Sequence, residues 1–300
     1  MRPRDLVAVK KLWPKLVHKH PKLCCKIYYY WMLKRRLHLK NPRDLNEKIQ
    51  WLKFHEDMNE WARLADKYRV REYLKEKGLD NLLVKLYGKF DTGEELMEAW
   101  GSLPKTFILK SNNGCATNIV VKDKDKFDTK GLAEKLNGWL AVNYGDIPVE
   151  LHYNLIKPCL IVEEFLSNPS PDISSSLIDY KIWCFNGKPY TILVCYDRDM
   201  VTDGTTLASY DTQWNETNKN LTDKTPRKHL PKPENLDLML KYATILSEGH
   251  PQMRVDFYNL NGDIYFGELT MSSMGGYMGY YTPEFLLEMG NQVKLPIDSK

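Results

Sequence analysis

Two acidic residues, Asp256 and Glu268, stand in the apolar, β-rich stretch "RVDFYNLNGDIYFGELT" near the end of the 300-residue chain. The residues before Asn261-Gly262 alternate in polarity, which is typical of a strand, and Asn-Gly favours a hairpin turn. Facing strands place side chains about 5 Å apart, so the two carboxylates can converge. Converging carboxylates repel unless a proton or a cation lies between them, and their hard oxygens suit Mg²⁺. The alternative is two solvent-facing acids on a half-buried hairpin.

A second group of polar residues has the composition of a phosphate-binding loop. In "FILKSNNGCATN", Lys110 ends a predicted strand and a loop of small polar residues follows. Backbone amides in such a loop can surround phosphate oxygens, and a lysine adds a positive charge. Further on, "IVEEFL" carries Glu163 and Glu164, one of which could face a ribose hydroxyl. The alternatives are an ordinary turn and an ordinary strand end.

The elements that must position these residues are both helical and extended. Hydrophobic periodicity and turn signals predict helices and strands along the whole chain. The predicted helices are 44–57 (with Asp44 as its N-cap), 59–77, 92–100, 129–144, 233–249 and 282–293. The predicted strands are 81–88, 105–111, 118–123, 159–166 and a hairpin over 177–197 that turns at Asn186-Gly187. Residues 197–231 are polar and irregular, which predicts a long loop over a cleft. The pattern indicates a mixed α and β protein with mainly antiparallel strands in its second half.

The composition is that of a folded, water-soluble protein, with 43% hydrophobic and 27% charged residues. There is no run of eighteen apolar residues, so no transmembrane helix is expected. The first residues lack the apolar core of a signal peptide. The six cysteines show no CxxC spacing, which favours free thiols and a cytoplasmic location.

The charge is unevenly distributed along the chain. Residues 1–40 hold eight Lys, four Arg and one acid, Asp5, giving +11 and leaving −7 for the rest. This segment is also aromatic, with "KIYYYWMLKRRLHLK" and Trp13. Two interpretations stay open: a solvated helical flap packed on the body, or peripheral contact with the anionic inner face of the plasma membrane. Nucleic acid is not expected as a partner, because the rest of the chain is acidic and no recognition motif follows.

The order of these features resembles the ATP-grasp superfamily, in which two α+β subdomains clasp ATP. More closely, it resembles the teichuronopeptide-biosynthesis (TupA-like) branch found among bacterial surface-polysaccharide genes. The resemblance lies in "LNEKIQWLK", "LADKYRVREYL", "FILKSNNGC", "EEFL", "DYKIWCFNGKP", "RVDFY" and "FGELT", within about residues 44–285. It implies an α+β ATP-grasp fold with a basic helical N-terminal segment, 1–43. An N-terminal subdomain would then span 44–103, a lid subdomain 104–166 and the C-terminal core 167–300.

The resemblance also implies a role for each matching residue. The nucleotide would be bound by Lys67, Lys110, the phosphate-loop residues Ser111, Asn112, Asn113, Gly114 and Thr117, the adenine hinge Glu163, Glu164, Phe165 and Leu166, and Asp179. Lys181 and Arg254 would be the catalytic basic groups, aimed at phosphate or at an acyl phosphate. Asp256, Glu268 and Thr270 would bind Mg²⁺. The superfamily often has Asn at the position of Thr270.

The implied activity is ATP-dependent ligation of a carboxylate to an amine through an acyl phosphate. The partners would be a uronic-acid-containing saccharide, or its lipid-linked precursor, and an amino acid or another amine. A glycosyltransferase, a kinase and a catalytically silent nucleotide-binding scaffold remain alternatives.

Overall fold

The computed structural model of the chain describes residues 7–115, 117–198 and 204–295, and of residues 7–11 the backbone alone. Within these ranges there are nine α-helices and nine β-strands. The chain divides into two compact units, one formed by residues 57–145 and 150–167, the other by 1–56, 146–149 and 168–300. No helix in the described part is long and apolar enough to cross a membrane.

The helices are α1 Val7–Lys19, α2 Pro21–Leu33, α3 Leu45–Leu52, α4 Met58–Ala65, α5 Val70–Glu76, α6 Gly93–Ala99, α7 Leu132–Leu140, α8 Leu236–Ser247 and α9 Pro283–Gln292. The strands are β1 Leu86–Phe90, β2 Phe107–Ser111, β3 Asn118–Val121, β4 Leu160–Glu163, β5 Asp179–Phe185, β6 Lys188–Tyr196, β7 Thr206–Asp211, β8 Gln252–Leu260 and β9 Asp263–Thr270.

The unit of residues 57–145 and 150–167 is built on a four-stranded antiparallel sheet in the order β1-β4-β2-β3. In β2 the buried residues Phe107, Leu109 and Ser111 alternate with half-buried ones, as a sheet with one covered face requires. The apolar core combines residues of the sheet, of α6 and α7, and of the segment between α6 and β2: Leu96, Leu103, Phe107, Leu109, Val121, Leu132, Leu136, Leu160 and Val162. Strand β1, which lies in the predicted 44–103 subdomain, pairs with β4 of the predicted 104–166 lid. The boundaries of these two subdomains stay predictions.

The single helix predicted over 59–77 is wrong, because the chain leaves the helix at Asp66 and re-enters it as α5. Asp66 is extended, with ψ 112°, and its carboxylate accepts hydrogen bonds from the backbone N–H groups of Tyr68 (2.8 Å) and Arg69 (3.3 Å). An aspartate that bonds to the next backbone amides offers the chain a turn in place of a helix. The break therefore places Lys67 in a turn.

The larger unit contains a five-stranded antiparallel sheet in the order β7-β6-β5-β8-β9. Both predicted Asn-Gly turns are confirmed, and Asn186, Gly187, Asn261 and Gly262 all have positive φ. Residues 197–231 were expected to be irregular, but they include β7, so that expectation is wrong over Thr206–Asp211. Strand β7 lies at the edge of the sheet, where it pairs with β6, and its alternation of polar and apolar residues is short and weak.

The basic N-terminal segment is helical, as expected, in the part that the structure describes. Helix α2 buries Cys24, Cys25, Tyr28 and Tyr29. The next helix, α3, begins at the predicted cap, where Asp44 accepts a hydrogen bond from the N–H of Glu47 at 2.9 Å. All residues of α3 are buried, and Asn46, Lys48 and Gln50 donate to distant backbone carbonyls, for example Lys48 to that of Val293 at 2.7 Å.

Candidate active site

Asp256 and Glu268 lie opposite each other, as the hairpin pattern predicts. Strands β8 and β9 pair Asp256 with Glu268 and Arg254 with Thr270, and a bulge follows Asp256. Asp256 is buried at 1% exposure, whereas the Glu268 side chain is 47% exposed. The predicted convergence is therefore confirmed, and one of the two acids faces solvent.

The group on which these carboxylates converge is the guanidinium of Arg254. Its Nε and Nη2 donate to the two oxygens of Asp256, at 2.7 and 2.8 Å. The same Nη2 donates to Glu268 Oε1 at 2.7 Å and to Thr270 Oγ1 at 3.1 Å. Nη1 donates to Ser273 Oγ at 2.6 Å. Such bidentate, charge-assisted bonds fix the plane of the guanidinium.

Lys181 enters the same cluster from the neighbouring strand, since β5 and β8 pair it with Asp256. Its ammonium group contacts the Asp256 carboxylate and lies 2.6 Å from Asp179 Oδ2. Burial by itself would lower the pKa of Lys181, but Asp179 and Asp256 raise it above its usual value. Burial raises the pKa of Asp256 to about 6, against the opposing effect of Arg254 and Lys181. Because the pKa of Lys181 and that of Arg254 are both raised by these carboxylates, the two side chains are positively charged at neutral pH.

The chemistry of this cluster fits a divalent cation. Three carboxylates, Asp179, Asp256 and Glu268, contact the buried cations Lys181 and Arg254, and the more exposed Arg198 lies 3.6 Å from Asp179 Oδ2. Asp179 Oδ1 is buried and has no hydrogen-bond partner in the described part of the chain. Nowhere in that part do three or more His, Cys, Asp or Glu side chains form a metal-binding group. Mg²⁺ needs only one or two carboxylates when phosphates supply further oxygens, so the donor set is sufficient.

In the smaller unit, Lys110 and Glu163 form the central ion pair. Lys110 Nζ lies 3.0 Å from Glu163 Oε2, and Arg71 Nη1 lies 3.1 Å from Glu163 Oε1. Arg71 was not among the predicted site residues. It lies in α5, and its only signal in the sequence was a basic residue on an amphipathic helix.

The phosphate-loop residues divide into a buried frame and a more open part. Ser111 is buried and its hydroxyl lies 2.6 Å from Thr117 Oγ1. Asn112 is also buried, and its amide bonds to Asp66, to the carbonyl of Lys157 and to the N–H of Cys159. The side chain of Asn112 therefore holds the loop in place from inside the unit, and the assignment of this residue to nucleotide binding stays a prediction.

The loop itself is tied to Lys67. The ammonium group of Lys67 donates to the carbonyl of Gly114, and its backbone N–H donates to the carbonyl of Asn112 at 3.3 Å. A side chain on Gly114 would meet the ring of Tyr144 at 2.3 Å, so the backbone approaches this ring closely. Asn113 is buried, and its Oδ1 has no partner among the described residues. Two of the predicted groups, the Lys67 ammonium and the loop, are thus brought together.

The predicted hinge begins where β4 ends. The strand stops at Glu163, so the expectation of a strand through Leu166 is wrong. Glu164 is exposed and its N–H donates to the carbonyl of Lys85 at 2.9 Å. Phe165 and Leu166 follow, both half-buried.

The family model "TupA-like ATPgrasp" matches residues 47–294, which is most of the chain. The chain belongs to this family. The match confirms the resemblance seen in the sequence and, with it, the ATP-grasp fold. No curated protein sequence matches the chain significantly.

Several solved structures are similar to this ATP-grasp chain at low sequence identity. An N5-carboxyaminoimidazole ribonucleotide synthetase in complex with ADP is 15% identical, with 75% of this chain and 50% of that chain covered and a TM-score of 0.40. D-alanine–D-alanine ligase from Bacillus anthracis is 13% identical, with 79% of this chain and 69% of that chain covered and a TM-score of 0.43. L-amino acid ligase from Bacillus licheniformis is 17% identical, with 71% of this chain and 44% of that chain covered and a TM-score of 0.42. The chain thus spans about half the length of the first of these structures.

Proposed function

We propose that the chain is an ATP-dependent carboxylate–amine ligase. The observation that carries the proposal is the convergence of Asp256, Glu268 and Thr270 on one nitrogen of Arg254, in a chain of the ATP-grasp family. Such a cluster offers fixed positive charge beside hard oxygen ligands. Phosphoryl transfer depends mainly on positioning and on neutralising charge, and these groups supply both.

The nucleotide would be bound largely by the smaller unit. Lys67 and Lys110 would exchange their present partners, the Gly114 carbonyl and Glu163, for phosphate oxygens. Backbone amides of residues 113–115 and 117 would surround those oxygens, whereas Ser111 and Asn112 hold the loop in place. The backbone of 164–166 would contact the adenine. Because Glu163 is buried and keeps its pair with Arg71, the exposed Glu164 is the better candidate for the ribose hydroxyls.

The reacting groups would be oriented by the larger unit. A substrate carboxylate oxygen attacks the γ-phosphorus, the bond to the bridging oxygen breaks, and ADP leaves with its charge. The amine nitrogen then attacks the acyl carbon, phosphate departs, and the nitrogen loses a proton to give the amide. Arg254 and Lys181 would stabilise the charge that develops in both steps, as fixed donors do at low cost of reorganisation.

Magnesium would be held by Asp256 and Glu268, with the Thr270 hydroxyl as a weaker ligand, and would neutralise phosphate charge. Asp179 would act through Lys181, whose ammonium group it holds at 2.6 Å.

We further propose that the carboxylate belongs to a uronic-acid-containing saccharide of a bacterial surface polysaccharide, or to its lipid-linked precursor, and that the amine is an amino acid or a similar compound. The branch of the family supports this choice. A cytoplasmic location accords with the use of ATP and with six cysteines that form no disulfide.

The test is ADP release from ATP and Mg²⁺ in the presence of paired uronic acids and amines, followed by mass spectrometry of the product. Hydroxylamine in place of the amine should give a hydroxamate, since it intercepts an acyl phosphate. The protein with Glu268→Gln provides the background rate. Phosphate transfer to a hydroxyl, or turnover of a sugar nucleotide without ATP, would contradict the ligase and favour a kinase or a glycosyltransferase.

A further inference from the structure

The α1–α2 segment leaves large apolar side chains in solvent. Leu23, Ile27 and Tyr30 of α2 are 52%, 47% and 58% exposed, and they follow each other at helical spacing. Residues at i, i+4 and i+7 share one face of a helix, so the three form a continuous stripe. Leu12 and Leu16 of α1, spaced in the same way, are 65% and 38% exposed. We call these five residues the exposed apolar set.

The other face of α2 is anchored to the body of its own unit. Cys25 donates a hydrogen bond to the Gln50 side chain at 3.0 Å, and the Tyr28 ring packs edge-on against Tyr277, with 5.0 Å between centroids. Cys24 and Tyr29 are fully buried on this face as well. The helix is therefore held in one rotational setting, and its exposed stripe cannot turn inward without breaking these contacts.

This setting changes which residues could meet a membrane. In a segment that contacts a membrane, the aromatic residues Trp13, Tyr28, Tyr29, Tyr30 and Trp31 would be expected at the lipid headgroup boundary. Tyr28 and Tyr29 are buried, and the Trp13 indole donates to the backbone carbonyl of Asp146 at 3.2 Å. Trp31 is half-buried, which leaves Tyr30 as the exposed one of the five. The aromatic expectation is wrong for the two buried tyrosines.

Positive charge surrounds the exposed apolar set. Lys15 and Lys19 of α1 and Lys22 and Lys26 of α2 are all exposed. No acidic residue occurs in the sequence between Asp5 and Asp44. A helix with leucine and isoleucine on one face and lysines beside them has the composition of segments that lie in a lipid interface.

We propose that the exposed apolar set and the lysines beside it dock onto an anionic lipid surface. A solvated flap would account for the lysines but not for aliphatic side chains at about half exposure along one helix face. An anionic leaflet satisfies both, since its headgroups attract the lysines while the aliphatic side chains enter the acyl boundary. The docking does not depend on the proposed ligase activity, so each can fail separately.

The experiment is co-sedimentation of the full chain with vesicles of phosphatidylcholine, with or without phosphatidylglycerol. The variant Leu23→Ser/Ile27→Ser removes apolar surface without changing charge, and it should weaken binding to the anionic vesicles about tenfold or more. The matched control is Leu238→Ser/Leu287→Ser, which removes side chains of 39% and 47% exposure on α8 and α9 and should bind as the wild type does. Thermal melting of each variant checks that it is folded.

A second arm tests the charge. Lys19→Gln/Lys26→Gln should weaken binding about fivefold for each lysine at low salt, and added salt should weaken the wild type in the same direction. Three results would overturn the proposal: equal binding to neutral vesicles, unchanged binding of Leu23→Ser/Ile27→Ser, or no vesicle binding together with a dimer that this variant dissociates. In the last case the apolar set would be an interface between two copies of the chain.

Discussion

The buried carboxylate of Asp66 accepts a hydrogen bond from the side-chain amide of Asn112, with 2.9 Å between Oδ1 and Nδ2. This bond joins the turn between α4 and α5, which carries Lys67, to the start of the predicted phosphate loop. The same amide bonds to the backbone of Lys157 and Cys159, just before β4. The position of Lys67 is thus set by a polar network that the smaller unit contains entirely.

Asn112→Ala should therefore reduce both stability and nucleotide affinity. It leaves the buried N–H of Cys159 without the Asn112 acceptor and removes one of three hydrogen bonds to the Asp66 carboxylate, which should lower the free energy of unfolding by roughly 1–3 kcal/mol. In a cycle with Asp66→Ala, urea unfolding should show a coupling of roughly 0.5–3 kcal/mol between the two residues. Glu94→Ala, which breaks an exposed bond to Asn137 in the same unit, is the control and should change little. Additive effects of Asp66→Ala and Asn112→Ala would count against the network.

Glu268→Gln should abolish Mg²⁺-dependent nucleotide binding while leaving the fold intact. The residue is half-exposed, so losing its charge affects the proposed metal site more than the packing. Calorimetry with ATP, with and without Mg²⁺, measures the effect. Asp263→Asn removes an exposed charge from the same strand, at the hairpin turn, and serves as the matched control. Equal Mg²⁺ dependence in both variants would remove Glu268 from the metal site.

Asp256→Asn should differ from Glu268→Gln in its effect on stability. The Asp256 carboxylate is buried and pairs with both Arg254 and Lys181, so neutralising it leaves two cations insufficiently compensated. Breaking a buried ion pair from one side costs roughly 3–5 kcal/mol. Chemical unfolding should show a loss of this size for Asp256→Asn and a much smaller one for Glu268→Gln. Similar losses in the two variants would contradict the difference in burial.

Lys110→Ala should weaken ATP binding with little loss of stability, because Glu163 keeps its bond to Arg71. A charge-assisted contact to phosphate contributes roughly 1.5–3 kcal/mol, or about 10- to 150-fold in affinity. Lys67→Ala should have an effect of the same size. Lys89→Ala, on β1 of the same sheet and paired with Asp91, is the control and should bind ATP normally. Titration calorimetry that finds unchanged affinity in both test variants would contradict these placements.

Two helical glycines should respond to alanine in opposite directions. A Cβ on Gly138 of α7 meets no atom within 4 Å, so Gly138→Ala should stabilise the chain by about 0.5–1 kcal/mol through helix propensity. A Cβ on Gly290 of α9 would lie 2.6 Å from the backbone oxygen of Arg43. Gly290→Ala should destabilise by roughly 1–3 kcal/mol, because helix and backbone must move apart. Unfolding curves that show a gain at Gly290 would refute this close approach.

The features that the sequence predicted correctly are those with local causes. The Asn-Gly pairs need positive φ, which few other residues tolerate, and so they marked the turn between β5 and β6 and the turn between β8 and β9. The cap at Asp44 depends on a residue three positions away. Strand alternation around Asp256 then brought it opposite Glu268, since a slip of one residue would turn the apolar side chains out of the core.

Contacts between residues far apart in the sequence were decided only by the tertiary structure. Neither the pairing of Arg71 with Glu163 nor the use of Asn112 inside the unit has a local signal, because both bonds join segments tens of residues apart. The break at Asp66 interrupted a helical periodicity that continued on both sides. Likewise, one face of α2 is buried and the other exposed although both are apolar. Composition alone cannot distinguish the two faces, because which one is covered depends on where Gln50 and Tyr277 lie in the fold.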